Sequence, residues 1–69
     1  MDLFELLTTR EIDVLQRLAH GKRSEDIASD LAISPQTVQT HVRNILKKLG
    51  VHSKLEAVAF AVKYDAVSV

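Results

Sequence analysis

The chain has no cysteine, one proline and two glycines in its 69 residues. Without cysteine there is neither a disulfide framework nor a thiolate metal site, so stability must come from packed helices, alone or with a partner. A reducing, cytoplasmic setting fits. The longest uninterrupted apolar run, residues 57–62, is far too short to cross a bilayer, and no basic start followed by an apolar stretch marks a signal peptide. A soluble chain without a membrane partner is expected. A glycine-rich phosphate loop, a nucleophile-base-orienter grouping and paired carboxylates on a shared face are all missing, so neither an enzyme nor a cofactor is expected. His20, His41 and His52 lie on three different segments without short ligand spacing, which argues against a metal site. Strand-like alternation, internal repeats and low-complexity tracts are absent too.

Net charge is also lacking: nine basic residues balance nine acidic ones, which argues against a non-specific nucleic-acid coat. The distribution is uneven, however. Residues 1 to 33 carry four bases against seven acids, a net −3. Residues 34 to 54 carry Arg43, Lys47, Lys48 and Lys54 with no acid, a net +4, and the remainder contributes −1.

What is present is helical spacing punctuated by caps, which predicts one small all-α domain, near the lower size limit for a self-sufficient core. Thr8 with Glu11 forms a capping box opening a helix over 9–20, with Ile12, Leu15, Leu18 and Ala19 on its inner face and Gly21 ending it. Ser24 is expected to cap a short helix over 25–32, with Glu25 and Asp26 in its first turn and Ile27, Ala28 and Leu31 facing inward. Ser34 followed by Pro35 starts a third helix over 35–49, stopped by Gly50. Ser53 with Glu56 opens a fourth over 54–65, after which the tail is expected to fray. The division that follows is an arm or linker remnant over 1–6, a domain over 7–66 and a tail over 67–69.

On the third helix, Val38, Val42, Ile45 and Leu49 fall within about 40° of one another and face the core. Gln36, Gln39, Thr40, Arg43, Asn44 and Lys47 occupy the opposite side, which carries no acid, whereas an ordinary solvated helix mixes signs. Arg43 suits guanine O6 and N7, Gln39 suits adenine N6 and N7, Thr40 offers a methyl to thymine, and Lys47 suits phosphate. With a short helix and a tight turn before it, this is helix-turn-helix geometry, expected to place the third helix in the major groove of duplex DNA.

The residues Leu7-Thr8-Thr9-Arg10-Glu11, Val14-Leu15, Ala19-His20-Gly21, Ile27-Ala28, Leu31, Ile33-Ser34, Thr37-Val38, His41-Val42, Ile45-Leu46 and Lys48-Leu49-Gly50-Val51 together resemble the LuxR/FixJ/NarL-type family of bacterial transcription regulators. The resemblance spans about residues 7 to 61. It implies a four-helix domain that reads DNA with its third helix and pairs through its fourth, as the output part of a receiver- or sensor-controlled regulator. It further implies base contacts from Gln39, Thr40 and Arg43, phosphate contacts from Thr37, His41 and Lys47, a two-fold DNA site, and RNA polymerase as a further partner in the bacterial nucleoid. Ser24 and Lys54 join the phosphate set. Three departures stand out: Gln39 where lysine is frequent, Lys54 where arginine is commoner, and a more acidic second helix begun by Lys22-Arg23-Ser24-Glu25-Asp26.

The fourth helix is apolar almost all round and so needs cover on two sides. Ala57, Phe60, Ala61 and Tyr64 form a stripe for the domain's own core, while Leu55, Ala59, Val62 and Ala66 form a second stripe expected to pair two copies. Two alternatives remain at this point: the promoter-recognising region of a sigma factor, and a module that docks through the fourth helix without touching DNA. The Lys48-Leu49-Gly50-Val51 ending and the apolar fourth helix favour the regulator family over the first. Steep salt dependence of duplex binding separates both DNA readings from the second.

Overall fold

In a computed structural model, which describes residues 2–68, a 3-10 turn over Leu3–Leu6 precedes four helices. They are α1 (Thr9–Ala19), α2 (Ser24–Leu31), α3 (Pro35–Leu49) and α4 (Lys54–Lys63), and the described residues contain no strand. The starts are dictated locally. Thr8 Oγ1 accepts from the Glu11 amide at 3.1 Å while Glu11 returns a bond to the Thr8 amide at 2.9 Å, the reciprocal box expected for α1. Ser34 Oγ accepts from the Thr37 amide at 3.1 Å beside Pro35, and Ser53 Oγ accepts from the Glu56 amide at 3.1 Å. The Ser53 box is offset by one residue, because the Glu56 carboxylate takes the His52 amide at 3.0 Å instead of that of Ser53.

Each helix ends the same way, on a left-handed residue whose successor bonds back across the last turn. Lys22 donates to the Arg17 carbonyl, Ile33 to Ala28, Val51 to Leu46 and Ala66 to Ala61, at 2.8 to 3.1 Å. Glycine fills the left-handed position after α1 and α3, where φ is 79° and 69°. Ala32 (φ 57°) and Asp65 (φ 58°) fill it after α2 and α4. The fourth helix therefore closes at Lys63 and not at Asp65 as expected.

The core gathers Val14, Leu15, Ile27, Val38, Ile45 and Ala61, all essentially sealed from water, with Val42, Leu49 and Ala57 around them. The four inward residues expected on α3 are all there. On α1, Leu15 is buried and Leu18 and Ala19 pack against the core as expected, but the face is shifted: Ile12 is 39% exposed, and Glu11 and Val14 are buried in its place. Helical geometry accounts for it, since Glu11, Val14, Leu15 and Leu18 share a face centred about 110° from Ile12. A carboxylate can occupy that face because Lys48 Nζ donates to Glu11 Oε1 at 2.7 Å. Glu11 itself is only 3% exposed. Burial pushes its carboxyl up, but the bond from Lys48 and the bonds from the Thr8 backbone and hydroxyl outweigh that and hold it below the ordinary range.

Both ends of the described chain belong to the core, contrary to the expected arm and frayed tail; of the segments so assigned, Met1 and Val69 lie outside the described residues. Asp2 caps the 3-10 turn by accepting from the Phe4 amide at 2.9 Å, and Phe4 and Leu7 are buried, the Phe4 ring centroid 5.4 Å from that of Phe60. Val67 is buried as well, and the Gln16 carboxamide bonds both the N–H and the carbonyl of Ser68. Packing of this kind gives a radius of gyration of 10.9 Å, close to the roughly 11 Å of a compact chain of this length.

Candidate nucleic-acid interface

The α2–α3 connection is Ala32, Ile33 and Ser34, so tight that the direction of α3 is set by α2 and by the core beneath it. With Val38, Val42, Ile45 and Leu49 buried, the opposite side of α3 is forced into solvent: Gln36, Thr37, Gln39, Thr40, Arg43 and Lys47 are exposed, and His41 and Asn44 are half-buried at its margins. At 15 residues the helix is about 22 Å long, and its bare outer side fits a major groove about 12 Å wide.

The charge on this side is smaller than the sequence count implies. Lys48 is withdrawn to Glu11, leaving Arg43 and Lys47 as the cations of the outer side; neither has a carboxylate partner among the described residues. Two hydroxyls are locally engaged. Thr40 Oγ1 donates to the Gln36 carbonyl at 3.2 Å, and Thr37 Oγ1 lies 2.9 Å from Ser34 Oγ.

Ser24 differs from its expected role. The Ile27 amide bonds to the Arg23 carbonyl at 3.0 Å, so Arg23 is the N-cap, without a side-chain capping bond, and Ser24 is the first residue of α2. Its hydroxyl instead accepts from Gln39 Nε2 at 3.1 Å, joining α2 to the outer side of α3. The two residues line an open cleft of about 480 Å³ together with Lys22, Arg23 and Lys54, floored by Leu18, Leu55 and Val58 and bearing Glu25 as its carboxylate. Ser24, Gln39 and Lys54, named separately from the sequence, are thus one locale. Lys22 and Arg23 were missed; the signal for them was a pair of cations directly preceding an expected cap. Lys22 and Arg17 both flank Asp30, at 3.8 and 3.5 Å, so Lys22 is partly neutralised, while Arg23 and Lys54 have no carboxylate partner among the described residues.

Of the residues expected to pair two copies, Leu55, Ala59 and Val62 share one face of α4 but differ in exposure, and Ala66 does not belong to that face. Leu55 is 80% exposed and Ala59 is exposed, but Val62 and Ala66 are half-buried against the chain's own core. Ala66 lies beyond the end of α4, past left-handed Asp65, and so off the helical face. Tyr64, expected inside, is 58% exposed and packs its ring on Phe60 at 4.9 Å. Among the described residues no three histidines or carboxylates gather as a metal site would require, and no helix is long and apolar enough to cross a membrane.

Residues 5–61 match the model of a family described as bacterial regulatory proteins, luxR family. The chain is 47% identical over 66 residues to the uncharacterized transcriptional regulatory protein YxjL of Bacillus subtilis, covering 96% of this chain and 30% of that one. It is 54% identical over 56 residues to the nitrate/nitrite response regulator protein NarP of Escherichia coli, covering 81% of this chain and 26% of that one. It therefore spans about a third or less of the length of these relatives. Among solved structures, that of the transcription factor GerE superposes with a TM-score of 0.85 at 32% identity, over 99% of this chain and 97% of that one.

Proposed function

The chain is a helix-turn-helix DNA-binding domain of the luxR family of bacterial regulatory proteins, and from that premise we propose that it reads duplex DNA sequence-specifically with α3 in the major groove. The observation carrying this reading is the outer side of α3: the four buried residues opposite leave amides, hydroxyls and two cations exposed, with no carboxylate on that side and none paired to either cation among the described residues. Gln39, Thr40 and Arg43 contact bases. Thr37, His41, Lys47, Ser24 and Lys54 contact phosphate, with Lys22 and Arg23 added from the cleft. The domain, residues 7–66 together with the packed terminal turns, serves as the non-enzymatic output part of a longer cytoplasmic regulator, and RNA polymerase is a further partner. Two copies pair through the exposed part of α4, Leu55 and Ala59, with Val62 and Ala66 beside them, on a two-fold DNA site.

Titration of isotope-labelled chain with duplex DNA tests the reading. Amides of α3 and of residues 22–24 should shift, and log affinity should fall with log salt at a slope of about −3.5 per chain, as four phosphate-neutralising cations require. Unmoved α3 signals alongside shifts on another surface would overturn it.

A further inference from the structure

Among the described residues, Gln39 is the one on the outer side of α3 whose side chain bonds to a different helix, Nε2 donating to Ser24 Oγ at 3.1 Å. We infer that Ser24 is a positioning residue that sets Gln39 to read adenine, an assignment that rests on the α3 reading above and goes beyond it in naming the device that selects adenine over guanine. A glutamine amide carries two N–H donors and an acceptor oxygen. One donor is spent on Ser24; what remains is a single N–H and Oε1, the pair that adenine N7 and its N6 amino group require in the major groove. Guanine presents acceptors at both N7 and O6, so the remaining Oε1 opposes O6 and guanine is disfavoured.

Chain entropy points the same way. A free glutamine on a helix surface samples many rotamers, and ordering a long polar side chain at an interface is costly. The Ser24 bond orders Gln39 before DNA arrives. Ser24 is suited to the task because it is half-buried at the start of α2, its position set by the α1–α2 turn and the buried Ile27 one turn later. Its own O–H remains free to donate to the phosphate flank, where Arg23 and Lys54 line the same cleft. Without Ser24 the second Nε2–H is released and the amide turns freely, so that two donors can meet the two acceptors of guanine.

Selection of bound duplexes from a random pool with the 69-residue chain locates its consensus adenines, and each is then replaced by guanine or by 7-deazaadenine, with affinities measured for the parent, Gln39→Ala, Ser24→Ala and Ser24→Thr. At one adenine the parent should lose about 5- to 150-fold on guanine, the range for one bidentate pair, and should weaken on 7-deazaadenine, which lacks only the N7 acceptor. Gln39→Ala should erase the adenine-to-guanine ratio there. Ser24→Ala should shrink it about 2- to 10-fold, over and above any loss shared by all sequences from its phosphate contact, while leaving the thermal melt near the parent's, and Ser24→Thr should restore it. A Ser24→Ala variant with the parent's ratio at every adenine, or with equal losses on all sequences, would overturn the assignment while leaving the α3 reading intact. A parent that enriches no sequence would remove both.

Discussion

Arg43 and Lys47 lie four residues apart on the same exposed side of α3, yet their chemistry divides their labour. A guanidinium forks onto the two acceptors of guanine, whereas an ammonium is a point charge suited to phosphate. Arg43→Ala should cost about 1 to 3 kcal/mol on a selected site and blur preference at one base pair. Lys47→Ala should weaken all sequences alike and flatten the salt slope by about one unit. Competition binding over a salt series distinguishes them, and equal losses on every sequence for both would show that Arg43 is not a reader. Glu11 illustrates a residue whose role lies in stability. Its lowered carboxyl means that its contribution is complete above the ordinary value near 4.5 and is lost as the pH falls through the lower folded value. Acid titration of the unfolding free energy should therefore be shallower in Glu11→Gln than in the parent below about pH 4.5. Lys48→Met, which strands the carboxylate, should cost about 1 to 3 kcal/mol at neutral pH. Neither partner could be matched from sequence, since 37 residues separate them and a capping glutamate looks the same whether or not a lysine from another helix reaches it. The Ser24–Gln39 bond, 15 residues apart, was hidden for the same reason.

At the scale of elements, starts and stops were largely legible because capping is a short-range hydrogen-bond problem solved within four residues. Thr8, Ser34 and Ser53 each accept the amide three residues on, as their spacing implies. Where the sequence misled, longer-range packing goes with the difference: Ser24 is the first residue of α2 and its hydroxyl is engaged with α3, and α4 closes at Lys63 ahead of left-handed Asp65 and buried Val67. The end of α2 yields a direct test. Ala32 holds φ 57° and ψ 42°, a region costing an L-residue about 1 to 2 kcal/mol, while glycine's extra freedom when unfolded returns about 0.5 to 1. Ala32→Gly should thus stabilise by about 0.5 to 1 kcal/mol, raising the melting temperature by about 3 to 6 °C in a domain of this size. A lower melting temperature would mean that the helix-turn-helix corner does not carry this strain.

At the scale of the whole molecule, the proposed pairing surface overlaps the fold more than the apolar pattern of α4 implied. Val62 and Ala66 already serve the chain's own core, so changing them would confuse folding with association. Leu55, 80% exposed, does not have this problem. Leu55→Glu should leave thermal stability within about 0.5 kcal/mol of the parent and lower the dimer fraction in sedimentation velocity at high concentration. Identical sedimentation of the two would exclude pairing through this face. The amino-acid order by itself determined the four helices, the caps Thr8, Ser34 and Ser53, the buried stripe of α3 and the acid-free side opposite, because each depends on periodicity or on partners a few residues away. Tertiary structure alone decided that Glu11 is inside, that Lys48 is paired with it, that the terminal turns pack on the core and that Ser24 holds Gln39. These are contacts between residues distant along the chain, and which of them forms depends on how the helices are rotated and docked, a choice made by the packing of all their apolar faces at once.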